Sequence, residues 1–194
     1  MKMNSRMFSL VFAAVCLMGA TMAASTAMAD PMDAQASVMV GGAAMYPTRN
    51  IIQNAVNSKD HTTLVAAVKA AGLVDTLSGA GPFTVFAPTN EAFAALPAGT
   101  VDNLLKPENK ATLVKILTYH VVPGRLSADD LAAKVAAGGG KAELKTVEGE
   151  AITITKDGDQ WAVTDAKGNT AHITIGNVFQ SNGVIHVIDK VLMP

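Results

Sequence analysis

Phe83-Thr84-Val85-Phe86-Ala87-Pro88-Thr89-Asn90-Glu91-Ala92-Phe93 passes from a strand to a helix within two residues. Phe83, Val85 and Ala87 alternate with Thr84 and Phe86, the period of a short strand with at least one buried face. Pro88 stops the strand, since it has no amide hydrogen to donate. Thr89 stands where an N-cap belongs, its hydroxyl placed to accept a backbone N–H near Ala92. Ala92, Phe93 and Leu96 then form the apolar stripe of a short helix. Asn90 and Glu91 fall in its first turn, where the positive end of the helix dipole favours acidic and acceptor groups. So short a junction has little freedom to move.

Upstream the pattern is helical. Residues 48–56 place Ile51, Ile52, Ala55 and Val56 at helical spacing. Asp60 or Thr62 is expected to cap a second helix in which Leu64, Val65, Val68 and Ala71 share a face, and Gly72 suits its C′ position. Leu73, Val74 and Leu77 continue as a short helical turn. Downstream, Pro97 and Gly99 break the chain, Thr100 is expected to cap residues 101–105, and Pro107 fits the first turn of the next helix. There Leu113, Ile116, Leu117 and His120 fall on one side. Ser127 is expected to cap residues 129–135, and Gly138-Gly139-Gly140 ends that element.

From Lys141 onward the period becomes two. Residues 144–147, 152–155, 161–163, 171–178 and 184–191 read as strands, with turns at Glu148-Gly149, Asp157-Gly158 and Lys167-Gly168-Asn169. A helical first half and an antiparallel second half predict an α+β domain in which helices cover a sheet.

The first 29 residues stand apart. Lys2 and Arg6 form a positive n-region, residues 7–20 an apolar run too short to span a membrane comfortably, and Ala27-Met28-Ala29 a small-x-small cleavage site. Cleavage between Ala29 and Asp30 is expected. It would leave 13 basic and 16 acidic residues, a net charge of −3, and would remove Cys16. The mature chain then has no thiol chemistry, and its stability rests on its core. Such a charge provides no strong field for nucleic acid or an anionic membrane. Residues 30–47, with Gly41-Gly42 and two prolines, read as a flexible leader. Met32, Met39 and Met45 within it suggest a copper(I) thioether site only weakly, because no histidine accompanies them.

The junction at 83–93, the tyrosine-histidine pair Tyr119-His120 and the stretch Asn182-Gly183-Val184-Ile185-His186-Val187-Ile188-Asp189-Lys190-Val191-Leu192-Met193-Pro194 resemble, in order and spacing, the motifs of the fasciclin domain family. The resemblance covers residues 48–193. It implies a wedge-shaped β-sandwich flanked by helices, and a secreted adhesion or matrix-type binding module. Thr84, Pro88, Thr89, His186 and Asp189 would be structural residues of the two signatures. In animal relatives an Asp-Ile dipeptide before the second signature is implicated in integrin binding. Asn177-Val178 stands here instead, and a neutral amide cannot supply the carboxylate that reaches a bound metal ion.

Catalytic chemistry finds little footing. The mature chain has no cysteine and no Gly-x-Ser-x-Gly elbow. His61, His120, His172 and His186 are far apart, and Asp157-Gly158-Asp159 is better explained as a turn than as part of a calcium loop. Neither metal nor cofactor is expected. His120, at the end of an apolar helix, is expected to be a buried imidazole tying that helix to the signature junction through Thr89 or Asn90. The competing reading makes it part of an adhesive surface. His186 and Asp189 are expected to serve structure. Few aromatic residues, 5% of the chain, argue against a sugar-stacking platform.

The sequence therefore reads as a signal peptide (1–29), a leader (30–47) and one fasciclin domain (48–194), exported to the periplasm or the exterior. The expected role is a non-catalytic, monomeric binding or adhesion module. It has no nucleic-acid partner and no stable membrane insertion after cleavage, and it presents Asn90, Tyr119, His120 and Arg125 to a protein or cell-surface polymer. A carrier of a small apolar ligand and, less favoured, a secreted hydrolase are the alternatives.

Overall fold

The computed structural model describes residues 37–194. The expected signal segment, its cleavage point at Ala29 and Asp30, and leader residues 30–36 with Met32 lie outside the described residues.

Two strands, β1 (Val38–Val40) and β2 (Ala43–Met45), form an antiparallel hairpin. Gly41 and Gly42 make the turn at φ 58° and 73°, the left-handed region that favours glycine. The hairpin corrects the expectation of a flexible leader extending to Pro47. Val40 and Met45 are each 1% exposed and join the core that also holds Ile51 and Leu64. Burying such side chains contributes roughly 1.5–3 kcal/mol each, enough to hold a short segment in place.

Helices α1 (Ile51–Ala55), α2 (Thr62–Ala71) and α3 (Val74–Ser78) follow. Gly72 ends α2 at φ 74°, as the sequence predicts, and Asn50 and Gln53 form a reciprocal capping box on α1 that it did not anticipate. The cap expected from Asp60 or Thr62 is absent. His61 holds that position without a side-chain bond, after a 3-10 turn at Lys59–His61.

Next come β3 (Phe83–Pro88), α4 (Asn90–Ala94), α5 (Thr100–Leu104), α6 (Lys110–Tyr119), β4 (Val121–Pro123) and α7 (Ala128–Ala137). The junction forms as predicted: the Thr89 hydroxyl accepts the Ala92 N–H at 3.3 Å. Ser127 caps α7 in a capping box with Asp130. Thr100, expected as a cap, is instead the first residue of α5. Gly99 at φ 82° takes the cap position and starts the helix one residue sooner.

The second half is a meander of β5 (Lys141–Lys145), β6 (Ala151–Asp157), β7 (Gln160–Thr164), β8 (Thr170–Gln180) and β9 (Gly183–Ile188). The seven-stranded sheet has the order β4-β3-β9-β8-β7-β6-β5. All pairs are antiparallel except β3 with β9, which run parallel from Phe83 opposite Gly183 to Pro88 opposite Ile188. The two signatures are thus neighbours inside the sheet, second and third in its order.

A strand pair so placed must be covered on both sides. Val85, Ala87, Ile185 and Val187 face a core shared with α1, α2 and α6. Phe86 and Ile188 face a second core with Leu144, Ile152, Ile154 and Val163. Register shifts in β8 between Ile173 and Val178 bend the sheet, so that β5–β7 fold back over β3 and β9. The Val147 N–H donates to Val121 O, drawing the far edge toward β4 and nearly closing the sheet. The result is the α+β class expected: a sheet packed on itself and flanked by helices.

Candidate functional site

The polar residues of the signatures gather where β3, β9 and the end of α6 meet. Thr84 is buried and its hydroxyl donates to Gly124 O at 2.7 Å while accepting the Leu126 N–H at 2.9 Å. One β-strand side chain thereby fixes the turn after β4. His186 pairs with Phe86 across the parallel register and stacks on its ring, centroids 5.7 Å apart. Its Nε2 lies 2.9 Å from Leu126 O and so carries the proton; Nδ1 is left without a partner among the described residues.

His120 is 2% exposed and sits at the C-cap of α6. Nδ1–H donates to Ile116 O at 2.8 Å, which leaves Nε2 free to accept the Leu192 N–H at 3.0 Å. Its own carbonyl accepts the Phe86 N–H at 2.9 Å. The imidazole therefore ties α6 to the C-terminal segment while the His120 carbonyl holds β3, and neither Thr89 nor Asn90 is its partner as expected, because the helix end aims the ring across the second signature. Burial pushes its pKa down from 6.5 to about 4, against smaller upward effects of Ile116 and Asp165. Burial likewise lowers His61 and His186.

Tyr119 is fully buried. Its hydroxyl donates to Ala151 O at 3.3 Å and accepts the Ala166 N–H at 2.9 Å, joining α6 to the start of β6 and to the β7–β8 loop. Tyr119→Phe is expected to cost about 1–2 kcal/mol, because those two groups lose a partner inside the body. Chemical denaturation checks this; an unchanged midpoint would show that the hydroxyl contributes nothing.

Asn90 is half-buried. Its Oδ1 accepts the Thr63 N–H at 3.0 Å and the Thr62 hydroxyl at 3.2 Å, and its Nδ2 donates to Lys59 O at 2.7 Å. It supplies, from α4, the cap that α2 lacks locally. Pro88 closes the β3–β9 ladder opposite Ile188. Asp189 accepts the His172 N–H at 2.7 Å and lies 3.4 Å from its ring Nδ1.

Sequence reasoning missed Asn182 as a hub. Its Oδ1 accepts the Ile51 N–H at 3.0 Å, and Nδ2 donates to Leu77 O and Gly79 O at 2.8 and 2.9 Å. Its place in a motif was visible, but its partners lie more than a hundred residues away. Asn177 has φ 58°, and its Oδ1 accepts the Ala128 N–H at 2.7 Å at the start of α7, while Val178 is fully buried. The dipeptide position is therefore spent inside the body.

Arg125 is exposed. Its guanidinium donates through Nη2 to Gln180 O and, at 3.4 Å, to Gly183 O, and lies 5.7 Å over the Phe179 ring. On the adjacent loop Arg49 lies over Tyr46, 5.1 Å from the ring centroid. Phe179 and Tyr46 are 39% and 37% exposed, and Met39 on the hairpin 60%. Of these, Arg125 and Phe179 line a surface groove of about 760 Å³, together with Val38 and Pro47. By contrast, the interior cavity between the helices and β3, walled by Ile51, Leu64, Val68 and His61, measures about 30 Å³, the room of one water molecule.

Among the described residues no three His, Cys, Asp or Glu are placed to hold a metal ion, and no helix is long and apolar enough to cross a membrane.

Residues 59–194 match the Fasciclin domain family. The chain is 51% identical over 171 residues to Protein sll1483 of Synechocystis sp., covering 88% of this chain and 87% of that one. It is 34% identical over 190 residues to the cell surface glycolipoprotein MPB83 of Mycobacterium bovis, covering 88% and 77%. A solved pair of domains from the insect cell adhesion molecule Fasciclin I shares the fold with TM-score 0.67 at 18% identity, over 83% of this chain and 59% of that one.

Proposed function

The chain belongs to the fasciclin family, and on that footing we propose that it is an exported, non-catalytic binding module acting in adhesion at the cell envelope or outside it. One observation carries the reading: where its polar side chains are spent. His61, His120, His186 and Tyr119, the groups best suited to proton transfer, are buried and, His186 Nδ1 and His61 Nε2 apart, bonded within the body. No open cleft brings an acid, a base and a nucleophile together among the described residues. What faces solvent instead is an aromatic and cationic surface of Met39, Tyr46, Phe179, Arg49 and Arg125 on a rigid scaffold.

Two relatives support the setting, one named for the cell surface and one for cell adhesion. The apolar-ligand carrier loses ground because the interior cavity between helices and sheet has the room of about one water molecule. Of the four partner-facing candidates, Asn90 and Arg125 reach the surface, while Tyr119 and His120 act through the frame that holds it.

Beads coated with residues 30–194 are expected to be retained by envelope fractions of the cells that make the protein, and beads coated with the unfolded chain are not. Equal retention of the two, or retention of neither, would reject an adhesive role.

A further inference from the structure

We propose that the interior cavity between the helices and β3 is a binding site for one ordered water molecule, held between His61 Nε2 and the Ala87 carbonyl. The site stands independently of the adhesive role. His61 ends the 3-10 turn that follows Ser58, and both residues are 1% exposed. Ser58 Oγ lies 2.9 Å from His61 Nδ1. Nε2, on a ring that lines the cavity, has no partner among the described residues. A ring nitrogen buried in that way forfeits the hydrogen bond it makes in water, so the site favours any small molecule that restores it.

The hydroxyl decides the tautomer. Ser58 Oγ meets no other acceptor among the described residues, so its hydrogen points at Nδ1. Nδ1 then supplies the lone pair, and the ring proton sits on Nε2. The cavity therefore receives a donor, which an acceptor must answer. Burial lowers the His61 pKa, while the Ala87 carbonyl, more than Asp60, pulls it back up, which sets that carbonyl close to the ring. It stands out of line for a direct bond, since Nε2 is left unsatisfied. One water closes such a gap by accepting from Nε2–H and donating to Ala87 O.

Room and surroundings agree. The cavity measures about 30 Å³, above the roughly 10–15 Å³ that a water occupies, and two polar partners are the fewest that hold one. Ile51, Leu64, Val68 and Val85 make apolar walls. His120, the other histidine on the wall, already has both ring nitrogens bonded, to Ile116 O and the Leu192 N–H. An ion would find no counter-charge there, whereas a neutral water needs none. The water also completes a chain between segments remote in sequence. Gly41 O accepts the Lys59 N–H at 3.2 Å, and Ser58 Oγ lies so close to Gly41 that a Cβ would not fit. The β1–β2 turn is thereby pressed against the residue that orients His61, and the water carries that contact on to β3.

Three measurements on the unaltered protein test the site. A crystal structure fine enough to show solvent is expected to carry a density peak within hydrogen-bond distance of both His61 Nε2 and Ala87 O. Long-range ¹H–¹⁵N spectra of labelled protein are expected to place the ring proton on Nε2. Xenon separates a wet cavity from a dry one, because apolar cavities that stay dry take it up. Under xenon pressure the methyl resonances of Leu64, Val68 and Val85 should therefore stay in place. Absence of the peak, a side chain in its position, a direct His61–Ala87 hydrogen bond, a proton on Nδ1 or xenon-induced shifts of those methyls would each overturn the proposal.

Discussion

Gly183→Ala is expected to lower the unfolding free energy by about 3 kcal/mol or more, moving the urea midpoint down by on the order of 1 M. The reason is closeness, not backbone freedom, since Gly183 is absent from the residues with positive φ. A Cβ at this position would lie 2.0 Å from Phe83 O and 2.9 Å from Phe83 C, with Ile51 Cδ1 at 3.1 Å. The first two are main-chain atoms of β3 and cannot rotate aside. Phe83 and Gly183 are also the first rung of the parallel pairing that unites the signatures, and Asn182 anchors α1 and α3 one residue earlier. Any shift that admits the methyl group must open that rung and strain both helices. A variant with the parent's midpoint would mean that β3 and β9 do not approach as described.

The second large effect is on acid stability. His120 has its folded pKa depressed by burial from 6.5 to about 4, so between those values the unfolded chain takes up a proton that the folded chain refuses. Its stabilising contribution is therefore fully present above pH 6.5 and is lost as pH falls toward 4. The gap is worth roughly 3 kcal/mol. The geometry explains the refusal: a proton on Nε2 would point at the Leu192 N–H, turning an acceptor at 3.0 Å into a second donor. His61 and His186, both lowered by burial, shift the balance in the same direction. Denaturation at stepped pH values should show stability falling between 7 and 4. His120→Asn should be less stable than the parent at pH 7 yet lose about 3 kcal/mol less over that interval. Parallel curves for the two proteins would remove His120 as the cause.

Where the signal was carried by neighbours in sequence, the reading was sound. The Thr89 cap, the Ser127 cap, Gly72 at the end of α2 and the change to period two at Lys141 all act through contacts within about four residues. The places where it went astray share one feature, that the deciding partner is remote. Asn90 caps α2 across 27 residues, whereas the local sequence points to Asp60 or Thr62. The hairpin of β1 and β2 looked like leader because three-residue strands have almost no period, and only the core beside Ile51 shows why Val40 and Met45 are apolar. Nothing near Arg125 in sequence shows that β8 ends beside it, where Gln180 O and Gly183 O take its guanidinium.

Its amino-acid order was sufficient to specify the helices and strands, most of their ends, the lack of usable thiol chemistry after the expected cleavage, and the kinship carried by two separated motifs. Packing alone set the parallel union of β3 with β9, the burial that keeps three imidazoles neutral, and the groove at the edge of β8. The difference is physical: caps and alternation are settled by hydrogen bonds a few residues long, whereas strand order, burial and open edges follow from which distant surfaces exclude water together.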